Sequence, residues 1–302
     1  MNTAKERSSG ASRRLAVFSM DVEDWYHLDY FDRRTCRRDL SLLDGIEVYR
    51  DLLAEERVPS TYFVLGELAA SLSGLLRELA ADGADVGSHG WDHRRPLTMP
   101  VNEVEEDLRK SRAELEQRLQ RPVLGYRAPC FSLDRARLER LRAVGYLYDS
   151  SRIDFGDHPL YGTLKLDGFE RVGGEIYREG GFVEFEVSTL PVGGKRVPVS
   201  GGGYLRLLPW TLTRLLVGRY LRDHQLYTLY IHPFELSRRP DPPLPAGTKW
   251  TTRRRFSVGR TQVADRLRRL IALLRSRGFE FSTFARLRAD ILGAGPAPAG
   301  AA

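Results

Sequence analysis

Short apolar runs and amphipathic stretches alternate along most of this chain. Residues 15–20 (LAVFSM) form an apolar run that ends in acidic residues, and residues 60–65 (STYFVL) are β-branched and aromatic before Gly66. Residues 279–281 form a third run of this kind. Runs of this length and composition, bounded by turn residues, are typical of buried strands. The pattern therefore predicts a strand at each of the three places.

The stretches between the strands carry helical periodicity. After residue 102, apolar residues recur on one helical face at Val104, Leu108, Leu115 and Leu119. Near the end of the chain the i, i+3, i+4, i+7 pattern recurs at Leu267, Leu270, Ile271 and Leu274. Such spacing predicts two amphipathic helices. Asn102 with Glu105 resembles a capping box at the start of the first helix, and Gly278 predicts the end of the second.

The alternation of strands and helices favours one α/β domain, with a parallel sheet or a (β/α) barrel. In a barrel the catalytic residues collect at the carboxyl ends of the strands. Residues 171–204 break the rhythm with alternating apolar and polar positions and repeated Gly pairs, so we predict an inserted antiparallel ribbon or long loop there. The domain is predicted to span residues 15–292, between disordered tails at 1–14 and 293–302.

Composition and charge narrow the class of protein. A chain of 302 residues with 42% hydrophobic residues is long enough to bury the core of such a domain. Its two cysteines are too few for a disulfide scaffold. Because neither a signal-peptide core nor a membrane-spanning run is apparent, we expect a soluble cytoplasmic protein. The net charge of +7 is explained by Arg-rich helical faces, and without a nucleic-acid-binding motif we expect no nucleic-acid partner.

Carboxylates and histidines form two clusters. Asp21, Glu23 and Asp24 follow the first apolar run, and carboxylates this close repel one another unless a cation or a proton relieves them. The cluster indicates a metal ligand beside a general base, or alternatively a solvated acidic turn. His89 and His93 are four residues apart, so on a helical turn both could reach one metal, although such pairs also occur as packing histidines. Two imidazoles and a carboxylate suit zinc, cobalt or another first-row divalent ion.

Two further motifs carry candidate chemistry. Arg127 precedes Pro129 between aromatic residues, so it could form a bidentate pair with a carboxylate, while Phe131 could offer its face to a sugar ring. The alternative is a loop whose arginine binds any nearby acid. His232 ends a strand-like run and precedes Pro233, a position that suits a proton donor in a pocket. Here the alternative is an ordinary buried histidine.

Taken in this order, the four clusters resemble the motifs of the polysaccharide deacetylase family, which carries the NodB homology domain and is also called carbohydrate esterase family 4. The resemblance spans roughly residues 15–290. It implies a distorted (β/α) barrel of the NodB type, with Asp21 as the general base and His232 as the general acid. It also implies that residues 127–131, which include Pro129, form a wall of the substrate groove.

The same resemblance implies a divalent metal, with zinc as the first choice, held by His89, His93 and one carboxylate. The common motif of the family has two adjacent acids, base and then ligand, whereas here a valine follows Asp21. A related subgroup spaces the two acids by one residue, which makes Glu23 the ligand. An alignment with a short insertion makes it Asp24 instead, and both assignments stay open.

A closer resemblance is to a bacterial branch found in exopolysaccharide loci linked to protein sorting. Its motifs are similar to residues 21–25 (DVEDW), 201–209 (GGGYLRLLP) and 232–235 (HPFE). Members of that branch are regarded as cytoplasmic deacetylases without secretion signals. The wider family uses an Asp with a Trp to tune the acid histidine. Asp149 is the nearest counterpart, but no Trp follows it, so the residue that tunes His232 stays open.

The resemblance implies removal of N-acetyl groups from an amino-sugar polysaccharide or a lipid-linked saccharide, with Arg127 keeping the base ionised. Trp91, Phe131 and Tyr204 are candidates for stacking on sugar rings and equally for packing in the core. Two rival functions share the fold. A metal-independent cyclic-amide hydrolase is disfavoured by the histidine pair, and a non-catalytic saccharide-binding module is disfavoured because Asp21 is present. The oligomeric state stays open.

Overall fold

A mostly parallel sheet runs through the molecule, whose computed structural model describes residues 13–293 except 157 and 159. In chain order the strands are β1 Arg14–Val22, β2 Ser60–Val64, β3 Asp85–Ser88, β4 Gly125–Tyr126, β5 Tyr148–Asp149, β6 Glu170–Gly173, β7 Ile176–Glu179, β8 Phe182–Phe185, β9 Thr189–Val192, β10 Lys195–Pro198, β11 Leu226–Ile231 and β12 Phe279–Ser282. The predicted disordered tails lie outside the described residues, apart from positions 13, 14 and 293. Arg14 already belongs to β1, and Arg13 forms an ion pair of 2.8 Å with Glu280 next to it.

The helices connect these strands. They are α1 Gly45–Glu55, α2 Gly66–Ala69, α3 Ser73–Ala81, α4 Val101–Leu119, α5 Arg135–Val144, α6 Gly202–Leu207, α7 Trp210–Asp223, α8 Pro233–Leu236, α9 Trp250–Ser257, α10 Val263–Ser276 and α11 Phe284–Leu292. Single turns of 3-10 helix span Trp25–His27, Arg33–Thr35, Pro96–Thr98, Pro129–Phe131 and Arg260–Gln262. Within residues 13–293, no helix has both the length and the apolar composition needed to cross a membrane.

The sheet has the strand order β11-β1-β2-β3-β4-β5-β8-β7-β6, and β12 pairs with the first half of β1. All pairs from β11 to β8 are parallel, whereas β7 and β6 continue the sheet in antiparallel fashion. The parallel strands β11, β1, β2, β3 and β4 therefore present their carboxyl ends at one edge. That edge is where the sequence places its polar clusters.

The two faces of β1 pack against different cores. One face contacts the layer of helices through Ala16, Phe18 and Met20. The other faces the interior of the curved sheet, where the rings of Phe63, Tyr148, Phe185 and Phe284 lie with centroids between 4.9 and 6.4 Å apart. Because side chains alternate along a strand, Leu15 and Val17 share this interior face with Asp21. The catalytic candidates thus lie on the same face of the sheet as this cluster of aromatic rings.

The predicted elements are confirmed with small shifts. The first two apolar runs are β1 and β2, the third is β12, and the two periodic stretches are α4 and α10, whose predicted apolar faces are buried. The predicted capping box is wrong, because α4 starts at Val101 behind Pro100 and Asn102 already lies in its first turn. Proline lacks an N–H and has a fixed φ, so it suits the start of a helix without a side-chain cap.

The predicted insert at residues 171–204 contains two kinds of structure. β7 and β8 extend the main sheet, since β8 pairs in parallel with β5. β9 and β10 form a separate antiparallel hairpin, and the glycine-rich end of the stretch opens α6. The interruption of the strand and helix rhythm is thus a change from parallel to antiparallel pairing within one sheet.

Candidate metal and catalytic site

The carboxyl edge of the sheet brings the polar clusters together. Asp21 lies near the end of β1, His89 directly follows β3, Arg127 follows β4 and His232 follows β11. Several polar side chains at this edge are almost completely buried, each at most 3% exposed: Asp21, Glu23, His89, His93 and Arg127. Buried ionisable groups at this density need partners or a cation, so the edge is a candidate functional site.

Glu23, His89 and His93 form a possible metal site. One ligand atom from each lies within 4.8 Å of the other two, and Glu23 Oε2 is 2.7 Å from His93 Nε2. The predicted helical turn for the two histidines is wrong, because β3 is followed by a loop in which Gly90 and His93 have positive φ angles of 78° and 65°. This loop still brings the two imidazole centroids to 5.1 Å.

The charge states of His89 and Glu23 suit a cation. His89 Nδ1 donates a hydrogen bond of 2.8 Å to the Arg127 carbonyl oxygen, which leaves the Nε2 lone pair free for a metal. Burial lowers the pKa of His89 to about 4, so its ring is neutral. Burial opposes ionisation of Glu23, but the charge of His93 lowers the pKa of Glu23 well below its usual range. Glu23 Oε2 is buried and has no partner in hydrogen-bond geometry among the described residues.

Asp24 does not reach this group, which corrects its assignment as an alternative metal ligand. Its Oδ1 accepts the backbone N–H groups of Trp25 at 2.8 Å and Leu42 at 2.9 Å. The reason is the alternation of side chains in extended backbone: Asp21 and Glu23 are two residues apart and share the interior face, whereas Asp24 points the other way. Asp24 therefore caps the 3-10 turn that follows it.

Arg127 holds the carboxylate of Asp21. Its Nη1 donates to Asp21 Oδ1 at 2.8 Å and to Ser19 Oγ at 2.7 Å. Its Nε and Nη2 donate instead to the carbonyl and hydroxyl oxygens of Ser150. The expected bidentate pair is therefore a single contact, because the two serines take up the other donors of the guanidinium. The ring of Phe63 lies 4.3 Å below the guanidinium carbon.

Two buried acids, Asp149 and Glu184, contact the segment that includes Ser150. Ser151 Oγ donates to Asp149 Oδ1 at 2.7 Å and accepts the N–H of Ala128, next to Arg127. Glu184 accepts the N–H of Ser151 with Oε1, while its Oε2 is buried without a hydrogen-bond partner among the described residues. Burial raises the pKa of Asp149 to about 6, and burial with the charge of Asp149 raises the pKa of Glu184 well above its usual value. A proton shared between the two carboxyl groups fits these contacts.

His232 faces the metal candidates from the other side. Its Nε2 lies 3.4 Å from Glu23 Oε1, and its Nδ1 lies 3.3 Å from Glu235 Oε2. Glu235 in turn pairs with Arg206 at 3.3 Å, and both are at most 2% exposed. Burial opposes protonation of His232, but Glu235 and Glu23 raise its pKa to about 9. The position that sequence reasoning could fill only with Asp149 is thus occupied by Glu235.

Comparison with known proteins agrees with this arrangement. The profile of the polysaccharide deacetylase family matches residues 44–148, and that of a domain of unknown function, DUF3473, matches residues 150–289. Residues 44–148 therefore belong to the polysaccharide deacetylase family. His89, His93 and Arg127 lie in this first matched segment, His232 lies in the second, and Glu23 precedes both.

Curated relatives of this chain match over short stretches. A peptidoglycan deacetylase of Helicobacter pylori is 27% identical over 117 residues, which are 39% of this chain and 40% of that protein. A chitooligosaccharide deacetylase of Sinorhizobium fredii is 44% identical over 43 residues, which are 14% of this chain and 20% of that protein. The chain thus spans two fifths or less of these relatives.

Solved structures show the same fold. A Mycobacterium smegmatis protein named as a polysaccharide deacetylase has a TM-score of 0.60 at 17% identity and covers 100% of this chain and 99% of its own. The BA3943 pseudoenzyme of Bacillus anthracis has a TM-score of 0.51 at 12% identity, covering 91% and 66%. Since a pseudoenzyme shares the fold, the activity of this chain has to be argued from its own residues.

The candidate sugar-contacting residues take different places. Phe131 is 5% exposed and packs between Tyr161 and Tyr230, with ring centroids at 5.7 and 4.9 Å, and Pro129 is buried beside it. Trp91 lies under the Lys110 ammonium, 3.5 Å from the ring centroid, so one face of its ring is already covered. Phe131 is therefore a packing residue in this structure, whereas Trp91 is half-buried and its role in stacking stays a prediction.

Tyr204 and Arg33 complete the surroundings of the site. Tyr204 is half-buried in the first turn of α6. Arg33 was missed by sequence reasoning. Its Nη2 lies 3.0 Å from His93 Nδ1 and donates to the His93 carbonyl, so it orients the histidine loop. No spacing in the sequence links Arg33 to the histidine motif.

Proposed function

We propose that this chain is a metal-dependent hydrolase that removes N-acetyl groups from an amino-sugar polysaccharide or a lipid-linked saccharide. The observation that carries the proposal is the group of Glu23, His89 and His93, whose ligand atoms lie within 4.8 Å of one another. This group lies beside an Asp21–Arg127 pair on one side and His232 on the other. A role in exopolysaccharide biosynthesis in the cytoplasm, suggested by the closer resemblance, belongs to the same proposal.

The three residues fit a divalent ion. Two imidazole nitrogens and one carboxylate oxygen form a set that zinc and cobalt accept, with positions left for water and substrate. A cation would also bind Glu23 Oε2, which is buried and lies 2.7 Å from His93 Nε2 outside hydrogen-bond geometry. When bound, the ion would supply a Lewis acid for the acetyl carbonyl and would make a nearby water more acidic.

The protein's own groups divide the proton transfers between them. Asp21 accepts the proton of the attacking water, and the 2.8 Å contact with Arg127 fixes its carboxylate and balances its charge. As the C–N bond of the acetamide breaks, Nε2 of His232 donates a proton to the departing nitrogen. The products are acetate and the free amino sugar. Glu235 holds His232 at Nδ1, so Nε2 carries the transferable proton on the side that faces Glu23.

The experiment compares metal content and acetate release in matched variants. Metal is quantified in the wild type, in His89→Ala/His93→Ala and in Glu23→Gln, and acetate is measured from N-acetylglucosamine oligomers with added zinc or cobalt. We expect both ligand variants to lose metal and activity together. Asp24→Asn is the matched control, because it removes a neighbouring carboxylate whose Oδ1 accepts the backbone N–H groups of Trp25 and Leu42, and we expect it to keep the metal.

Two outcomes would contradict the proposal. If the wild type binds no divalent metal, the proposed mechanism is wrong and the cyclic-amide hydrolase is favoured. Loss of metal in Asp24→Asn with retention in Glu23→Gln would show that the ligand assignment is wrong.

A further inference from the structure

We propose that the entrance of the site recognises a negatively charged group on the substrate through Arg255, which lies among Tyr30, Tyr161 and Tyr204. These four residues are called the Arg255 rim below. The inference rests on the proposed deacetylase function and names its substrate class: an N-acetylated amino sugar next to an anionic group. A uronate carboxylate and a sugar phosphate share that chemistry.

Arg255 carries a charge that the described part of the chain does not neutralise. Its guanidinium carbon lies 4.6 Å from the centre of the Tyr30 ring, and among the described residues, which leave out 157 and 159, no carboxylate oxygen comes within 4.0 Å of its nitrogens. Other arginines nearby are paired, Arg206 with Glu235 and Arg260 with Asp241. Arg255 is exposed, so its charge is available to a ligand from solution.

The backbone of Arg255 is fixed relative to the proton donor. Arg206, which holds Glu235, also donates from Nη2 to the Arg255 carbonyl oxygen at 2.6 Å. The next residue, Phe256, is fully buried and stacks on Phe234 with ring centroids 5.1 Å apart. The Phe234 ring lies 5.8 Å from that of His232. The guanidinium therefore extends from a rigid segment beside the catalytic candidates.

The tyrosines join Arg255 to the groove wall. Tyr161 packs edge-on against Phe131 at 5.7 Å. Tyr204 lies in α6, which begins directly after Gly201, and Gly201 bridges to Tyr230 on β11. Burial raises the pKa of Tyr30, Tyr161 and Tyr204, and the charge of Arg255 opposes that rise in each of them. The field of Arg255 therefore reaches all three hydroxyl groups.

This combination suits an acidic saccharide. Tyr204 is half-buried and can offer its ring to a sugar, and a guanidinium binds carboxylate or phosphate through two parallel N–H donors. The net charge of +7 would also attract anionic substrates over long distances. A neutral polymer would leave Arg255 without a counter-charge. The segment that matches the domain of unknown function contributes Arg255, Tyr161 and Tyr204, so substrate choice is one function we assign to it.

The experiment compares three probes that share the N-acetylglucosamine unit. They are a neutral N-acetylglucosamine oligomer, an oligomer alternating with glucuronate, and N-acetylglucosamine carrying a diphosphate. We expect the wild type to show kcat/KM at least about tenfold higher on one anionic probe than on the neutral one, as for a charge-assisted contact at a partly exposed site. In Arg255→Ala we expect the anionic and neutral probes to have similar kcat/KM values, chiefly because KM for the anionic probe rises. Arg253→Ala, on the same helix and exposed, keeps the wild-type ratio.

The anionic arms separate the two sources of charge. A preference confined to the glucuronate probe identifies an acidic polymer, and one confined to the diphosphate probe identifies a linked sugar precursor. Equal kcat/KM on all three probes in the wild type, or an unchanged ratio in Arg255→Ala, would overturn the proposal.

Calorimetric binding of the same probes at low and high salt separates this inference from the proposed function. Salt-sensitive binding that depends on Arg255, without acetate release, keeps the Arg255 rim and removes the deacetylase. Acetate release without a preference for the anionic probes would keep the deacetylase function and overturn the Arg255 rim.

Discussion

Replacing Glu184 by Gln tests whether the buried acids Asp149 and Glu184 share a proton. Glu184 Oε1 accepts the backbone N–H groups of Ser151 at 3.1 Å and Arg152 at 2.8 Å, contacts that an amide oxygen can also make. The amide nitrogen would take the place of Oε2, which lacks a partner in hydrogen-bond geometry among the described residues. It would supply Asp149 with a permanent donor.

The size of the effect follows from the raised pKa of Asp149. That pKa is about 6 in the folded protein. Relative to an ordinary value of about 3.9, the shift corresponds to roughly 3 kcal/mol of unfolding free energy. Because the folded-state pKa is raised, this stabilisation is complete below about pH 4 and is lost as the pH rises through about 6. Glu184, whose pKa is also raised, adds to the loss at higher pH.

Urea unfolding between pH 4.5 and 8 measures this dependence. We expect the wild type to lose roughly 3 kcal/mol or more of stability across that range, and Glu184→Gln to lose distinctly less, because one titrating group is gone and the other has a donor. Glu186→Gln is the matched control, since Glu186 pairs with Arg152 at 3.0 Å, two residues along the chain. Parallel stability curves for the wild type and Glu184→Gln would refute the shared proton.

Three further predictions concern the site itself. Glu235→Gln should move the alkaline limb of the kcat/KM profile to lower pH, because the carboxylate that raises the pKa of His232 is gone; an unmoved limb would contradict this. Gly202→Ala should lower kcat about tenfold or more, since its Cβ would lie 1.9 Å from Glu235 Oε2 and displace that side chain, whereas Gly203→Ala has open space and should keep activity. Asp21→Asn should lower kcat by roughly 10² to 10⁴ with its metal content unchanged, and loss of metal would make Asp21 a ligand instead.

The sequence predicted those parts of the site that come from local pattern. The apolar run before Asp21 marks a buried strand, and the positions of His89, Arg127 and His232 after further strands indicate one common edge. The conformation of the loop that carries the two histidines could not be predicted, because two histidines four residues apart fit a helix as well as a loop with two left-handed residues. The choice between Glu23 and Asp24 was open for a similar reason, until the face of β1 was known.

The supporting contacts were hidden because they join distant parts of the chain. Arg206 and His232 are joined through Glu235, and Asp149 lies opposite Glu184 because β8 pairs with β5. Asp149 was the natural choice for tuning His232 by motif, yet the fold brings it to the Arg127 side. Such partners depend on strand order, which single-sequence patterns do not contain.

The pairing of β1 has a consequence for how the chain folds. Leu15 pairs with Leu226 and Arg14 with Phe279, so the first strand is enclosed by strands from the last third of the chain. Contacts over such sequence distances form late and slow folding. A fragment ending near residue 148, where the first family profile stops, would leave a long apolar strand with an open edge, which is prone to aggregate. The two profiled segments are therefore halves of one folding unit, and neither is expected to fold when expressed alone.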